Sequence, residues 1–204
     1  MKLYYAPGAC SIGIHVLLEE IGKPYDAVAV KLREGAQYQP GYTAVNPKSK
    51  VPALARDDGS VLTEFPAIAY WLARTNPFAG LLPDSIDLQA RTLEVLDYVV
   101  ATLHMQGFGR ILRPSAFTPN AADEDAVKAR GREIAGNGFA MLDTLLAQQD
   151  YATGAFSIAD AAIFYVSFWA DRFKMILPGN VAAHYTRMNA RPAVQRVLQQ
   201  EGLA

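Results

Sequence analysis

The residues best equipped for chemistry lie near the start of the chain, and the first of them is its only cysteine. Cys10 sits in PGACS, between the strand-like KLYYA and an apolar helical run that begins at Ser11. At such a junction several backbone N–H groups have no intrahelical acceptor, and the helix dipole presents its positive end. A thiolate there, the cysteine's own or a bound one, gains stabilisation, and the Ser11 hydroxyl supplies one more donor. The competing reading is plain packing, because cysteine is among the most commonly buried residue types.

Two further stretches carry recognition chemistry. In NPKSKVPAL a turn leads into an apolar strand that opens on Val51-Pro52. A cis bond there would turn the strand start and leave the Val51 backbone groups unpaired, able to hold an extended peptide. A trans proline on an edge strand is the commoner alternative. In LTEFPAIAYWLA, Pro66 suits the first helical position, which assigns Phe65 to the N-cap. Phenylalanine cannot cap, so the N–H groups could take a ligand carboxylate while Glu64 receives an ammonium. A site accepting both recognises an amino acid, although a solvated helix start with a surface glutamate would use the same residues.

The totals exclude several classes. One cysteine forms no internal disulfide, and no CxxC, HExxH or Cys/His cluster offers a metal site; His15, His104 and His184 are scattered. No metal is expected. With 19 Lys+Arg against 20 Asp+Glu and a net charge of −1, there is no basic stripe for nucleic acid. MKLYYAPGAC lacks the apolar run of a signal peptide, and no window reaches the roughly 18 apolar residues of a membrane span. A soluble cytoplasmic protein, with neither nucleic acid nor membrane as partner, is expected.

The elements that must position these residues change character along the chain. KLYYA predicts a strand, Ser11 to Ile21 a helix closed by Gly22, and Asp26 to Leu32 a second strand by its alternation. Residues 33–50 read as loop with a short helical turn. VPALARDDGSVLTE predicts a hairpin reversing at Asp57-Asp58-Gly59-Ser60, followed by a helix over FPAIAYWLART. One mixed sheet with helices packed on it is the simplest assembly. Beyond NPFAGLLPDSID strand signals vanish, and helices are predicted over 88–111, 122–149, 158–173, 181–189 and 192–201. In FSIAD, Ser157 with Asp160 three residues on has capping-box spacing and reads as structural.

Taken in order, YYAPGACS, VNPKSKVPAL, LTEFPAIAYWLA, FSIADAAIF and RPAVQRVLQQEGL resemble a cytosolic glutathione transferase. The cysteine in PGACS makes the chain most similar to the bacterial beta class, and the resemblance runs over essentially the whole sequence. It implies an α/β thioredoxin-like N-terminal domain over residues 1–78, a linker over 79–86 and an all-α C-terminal domain over 87–204. The helical domain would contribute the electrophile site and a homodimer interface. Glutathione is implied as co-substrate in detoxification, with a cis proline after Val51. Residue by residue, Val51 and Pro52 would present backbone to the cysteinyl part of glutathione. Glu64 and the N–H at Phe65 would hold the γ-glutamyl end, and Lys50 would meet the glycyl carboxylate. Asp97 corresponds to a residue that reaches the glutathione of the other subunit, and His104 to a histidine near the thiol. The electrophile site would be apolar, lined by Ala6 and Pro7 together with Phe108, Ile111, Trp169 and Phe173. Phe65 stands where relatives usually carry Ser, Gly or Asn, and Met105 and Gly35 where some carry lysine.

The implied reaction adds the glutathione thiolate to an electrophilic carbon, with Cys10, Ser11 and His104 as donors and proximity as the second contribution. Two alternatives use the same residues. One is a monothiol disulfide oxidoreductase working through a glutathionyl mixed disulfide on Cys10. The other is a non-catalytic member of the fold that carries apolar ligands.

Overall fold

Strand β1 (Lys2–Tyr5) is an inner strand of a four-stranded sheet. Helix α1 (Ser11–Ile21) follows it and ends at Gly22, whose φ of 70° is the left-handed conformation a helix stop favours. Strand β2 (Asp26–Ala29) then returns parallel to β1, with Leu3 opposite Ala27. The chain next makes two 3₁₀ turns, over Leu32–Glu34 and Ala36–Tyr38, and the single-turn helix α2 (Pro40–Thr43). Strands β3 (Ala53–Ala55) and β4 (Val61–Thr63) form an antiparallel hairpin with Leu54 opposite Leu62. β3 also pairs antiparallel with β1, giving the order β2-β1-β3-β4. Helix α3 (Phe65–Thr75) leaves the hairpin and packs on α1. Leu3, Ile12, Ile14, Leu17, Leu54, Ile68 and Leu72 are all 0% exposed, so the core lies between the sheet and these helices.

The alternation read from Asp26 to Leu32 overextended β2. It stops at Ala29, and all four of its residues are exposed, because it forms the sheet edge and the chain turns away into the 3₁₀ segment.

The predicted first long helix, 88–111, is three pieces. Helix α4 (Ile86–Tyr98) continues into a π-helical stretch over Val99–Phe108 and closes with α5 (Gly109–Leu112). Helix α6 (Glu124–Leu145) packs against the π stretch at close range. A Cβ on Gly131 would lie 2.7 Å from the Gly107 carbonyl oxygen, and one on Gly138 2.5 Å from Leu103 Cδ1, so glycine permits the approach. Helix α7 (Ile158–Arg172) is buried from Ile158 to Ala170. Its start carries the expected capping box, and Asp160 also accepts the Ala152 N–H at 2.8 Å and meets His184 Nε2 at 3.0 Å. Helices α8 (Gly179–Asn189) and α9 (Pro192–Gln200) complete the chain.

The computed structural model describes all 204 residues, and they separate into two compact units: Met1–Asp84 with Arg187–Ala204, and Ser85–Thr186. Grouping 87–204 as one domain follows chain order. In space Arg187–Ala204 belongs with the first unit, because α9 packs on α1 with Ala193, Val194 and Val197 buried. No helix is long and apolar enough to cross a membrane.

Candidate active site

The turn between β1 and α1 is held from three sides. Ser11 Oγ accepts the Ala6 N–H at 3.1 Å and donates its own hydrogen to the Ala6 carbonyl at 3.3 Å. The Ala9 N–H returns to the same carbonyl at 3.0 Å, and Gly8 takes a φ of 68° that suits glycine. From the C-terminal segment, Glu201 Oε2 accepts the Gly8 N–H at 2.8 Å. Its other oxygen meets His15 Nδ1 at 2.9 Å, with both side chains 0% exposed. Ser11 is thus fully buried and fastens the turn. Glu201 was not visible as a site residue in the sequence, where it is simply the acid of a terminal helix.

Cys10 is the N-cap of α1 and is 9% exposed. Its Sγ donates to the Val51 carbonyl at 3.5 Å. Burial pushes the thiol up to about 12, and the Glu64 charge adds to the rise; the backbone N–H groups of Ser11 and Cys10, and Lys50, pull the other way. The expectation of a stabilised Cys10 thiolate is therefore reversed. The helix start does favour the anion, but desolvation outweighs it. Cys10 is a neutral S–H donor at physiological pH.

Beside it runs the Lys50-Val51-Pro52 turn, whose Val51–Pro52 bond is cis. Pro52 is buried, Val51 half-buried and Lys50 exposed. The Lys50 carbonyl accepts Tyr42 Oη at 2.6 Å and Asn46 Nδ2 at 2.7 Å. Val51 has its carbonyl on Cys10, while its N–H has no acceptor within the chain.

The start of α3 corrects one detail. Glu64, not Phe65, is the N-cap, at a φ of 73°, and Pro66 is the second helical residue, not the first as expected. The Glu64 side chain makes no cap bond. It meets Lys48 Nζ at 2.7 Å, and the same ammonium donates to Thr63 Oγ1 at 2.9 Å. Phe65 is only 4% exposed, so its ring packs inward. Lys48, another residue the sequence did not single out, therefore supplies the ammonium that Glu64 was expected to receive from a ligand.

In the second unit, His104 lies on the π stretch and is half-buried. Its Nδ1 is 3.3 Å from Tyr165 Oη, and its ring stands edge-on to Trp169 at 4.7 Å. Phe108 meets Trp169 at 5.4 Å and Phe173 at 6.3 Å between ring centroids. Four of the predicted residues thus share one aromatic cluster, to which the structure adds Tyr165, one turn before Trp169 on α7. Ile111, at 8% exposed, is buried nearby in sequence on α5, and Asp97 is exposed on α4. In the first unit Ala6 is buried and Pro7 exposed. A separate concavity of about 540 Å³, lined by Leu18, Glu19, Lys23, Tyr25 and Gln200 among others, includes none of the predicted site residues.

A β1-α1-β2 parallel unit joined to a β3-β4 hairpin, with a cis proline opening β3 beside the start of α1, is a thioredoxin-like arrangement, and here it accompanies an all-helical unit. That pairing is the glutathione transferase architecture. Residues 8–75 match the family model described as glutathione S-transferase, N-terminal domain. Over the full length of both chains the protein is 39% identical to glutathione S-transferase GstA of Escherichia coli O157:H7. A Sulfitobacter glutathione transferase homologue with bound glutathione superposes with a TM-score of 0.92 at 28% identity, covering 100% of this chain and 98% of that one. The bacterial beta class glutathione S-transferase of Sphingomonas chungbukensis superposes with a TM-score of 0.85 at 33% identity, covering both chains fully. The chain belongs to the glutathione S-transferase family, and its function is that of a glutathione transferase.

Proposed function

We propose that this glutathione transferase is of the beta class and adds the glutathione thiolate to small hydrophobic electrophiles. The observation that carries the reading is the turn beside Cys10. A neutral S–H donor lies against a peptide whose Val51 N–H has no internal acceptor, and Glu64 stands at the start of α3. A γ-glutamyl tripeptide has groups for each. Its ammonium would replace Lys48 on Glu64, its carboxylate would take the N–H groups at the start of α3 including that of Phe65, and its cysteinyl main chain would pair with Val51. Lys50 would meet the glycyl carboxylate. No metal takes part in this reading.

In the reaction the glutathione thiol loses its proton to solvent, and its sulfur then forms a bond to the electrophilic carbon while the leaving group, where there is one, departs with the bonding pair. Cys10 would donate its S–H to that sulfur, with Ser11 holding the turn in place and His104 offering a further polar group. The aromatic cluster around Phe108, Ile111, Trp169 and Phe173, with Ala6 and Pro7, would receive the apolar electrophile. The reading extends to a cytoplasmic homodimer, supported by the free cysteine and by exposed apolar side chains such as Phe78 and Ile86. Exposed Asp97 would reach the glutathione of the second subunit.

Initial-rate kinetics with glutathione and an activated aryl halide test the reading. Saturation in glutathione, with sedimentation giving a dimer, is the expected result; no binding at millimolar glutathione would overturn it. The monothiol oxidoreductase alternative draws no support from a thiol pushed up to about 12.

A further inference from the structure

Two buried side chains converge on one carbonyl that no helix or strand uses. Tyr42 Oη and Asn46 Nδ2 both donate to the Lys50 oxygen, at 2.6 Å and 2.7 Å, so both of its lone pairs are engaged. The donors are themselves fixed. Tyr42 is 6% exposed and its ring stands edge-on to Tyr4 of β1 at 5.8 Å. Asn46 is 1% exposed, its N–H bonds back to the Tyr42 carbonyl at 2.9 Å, and its Oδ1 accepts the Lys48 N–H at 3.1 Å. Burial pushes the Tyr42 phenol above its ordinary value, with Asn46 pulling the other way, so it remains a proton donor across the working range.

The Lys50–Val51 peptide is trans, the one cis bond being the next. A trans peptide is planar, and its N–H points opposite to its C=O. Whatever fixes the Lys50 oxygen therefore fixes the direction of the Val51 N–H, the donor that finds no acceptor inside the protein. We propose that Tyr42 and Asn46 are positioning residues for glutathione: by clamping the Lys50 carbonyl they aim the Val51 N–H at the cysteinyl main chain of the tripeptide. This rests on the reading that Val51 receives that part of glutathione. Preorganised donors cost no rearrangement on binding, so the clamp acts on affinity for ligands that have a cysteinyl unit and not on those that lack one.

Tyr42→Phe removes one donor and keeps the ring against Tyr4. Binding of two ligands is compared by calorimetry or competition: glutathione, and γ-glutamylmethylamide, which keeps the γ-glutamyl charges without the cysteinyl unit. The expected result is about five- to tenfold weaker glutathione binding, a raised glutathione KM with kcat within about twofold, and γ-glutamylmethylamide binding within about twofold of wild type. Asn46→Ser, which withdraws the second donor, should repeat this pattern should the first variant fail to fold. Equal weakening of both ligands, or glutathione binding within about twofold, overturns the proposal. Glu64→Gln separates the premise: it should weaken both ligands, and if it weakens neither, the site reading falls and the clamp proposal with it.

Discussion

His15 Nδ1 meets Glu201 Oε1 at 2.9 Å with neither side chain exposed, and the remaining Glu201 oxygen holds the Gly8 N–H at 2.8 Å. One carboxylate from the C-terminal segment thus anchors both α1 and the turn that presents Cys10. Glu201→Ala leaves a buried imidazole and a backbone donor without their acceptor, and should cost about 1–3 kcal/mol for each. Glu201→Gln retains one acceptor oxygen and should cost less. Urea denaturation reads both; an unchanged midpoint for the alanine variant would contradict the anchoring role.

The buried Cys10 thiol makes a prediction against pH. The folded chain keeps its proton up to about 12, whereas an exposed thiol loses it near the ordinary value of 9.0. Between those values the unfolded chain binds fewer protons, so stability falls as pH rises through the window, at up to about 1.4 kcal/mol per pH unit from this group. Cys10→Ala lacks that component and should decline less steeply. Alkylation by iodoacetamide should be slow near neutrality and rise about tenfold per pH unit to pH 10. A plateau in the alkylation rate below pH 8 would show the thiolate that this geometry excludes.

Lys48 competes with the ammonium that Glu64 is proposed to receive. The pair is half-exposed, with side-chain accessibilities of 53% and 56%, so breaking it should hardly change stability. Lys48→Met should nonetheless tighten glutathione binding, by up to about fivefold given the 0.2–1 kcal/mol such pairs are worth. An analogue lacking the α-amino group gains nothing from the vacated carboxylate, and its affinity should not rise. Tightening of both ligands alike would refute the competition.

The contact between α6 and the π stretch predicts a graded series. Gly131→Ala drives a methyl to 2.7 Å from a backbone oxygen, which cannot easily retreat. Gly138→Ala meets Leu103 Cδ1 at 2.5 Å, a side-chain end with other rotamers available. Gly136→Ala meets nothing within 4 Å. Thermal melting should rank them in that order: losses in the range of about 1–3 kcal/mol for the first two, the larger for Gly131, and a gain of up to about 1 kcal/mol for Gly136. A Gly131 variant as stable as wild type would mean that the helices can separate at little cost.

Helix α1 was legible because its apolar spacing and Gly22 are local signals, and the hairpin because Asp58-Gly59 sits between two short apolar runs. The end of β2 was not: Val28, Val30 and Leu32 alternate whether or not a neighbouring strand exists to pair with them. The N-cap at Glu64 was missed because the preference of proline for the first helical position set the start one residue late, and only the backbone shows the positive φ at Glu64. The π stretch VVATLHMQGF is too short for its longer period to separate from an α-helical pattern. Cys10, Val51 and Glu64 announced themselves by residue type, but their partners did not. Lys48 reaches Glu64, Tyr42 the Lys50 carbonyl next to Val51, and Glu201 the Gly8 N–H of the turn that carries Cys10, through tertiary contacts that no spacing rule encodes.

The hydrogen bond from Gly8 to Glu201 joins positions 193 residues apart. At a synthesis rate of about 5–20 residues per second, the nascent Cys10 turn waits on the order of ten to forty seconds for its acceptor to be made. During that interval the sheet and α1 lack α9, and the whole Ser85–Thr186 unit is translated before α9 is made. The turn that presents Cys10 is therefore among the last parts of its unit to gain its full set of hydrogen bonds as the chain is made.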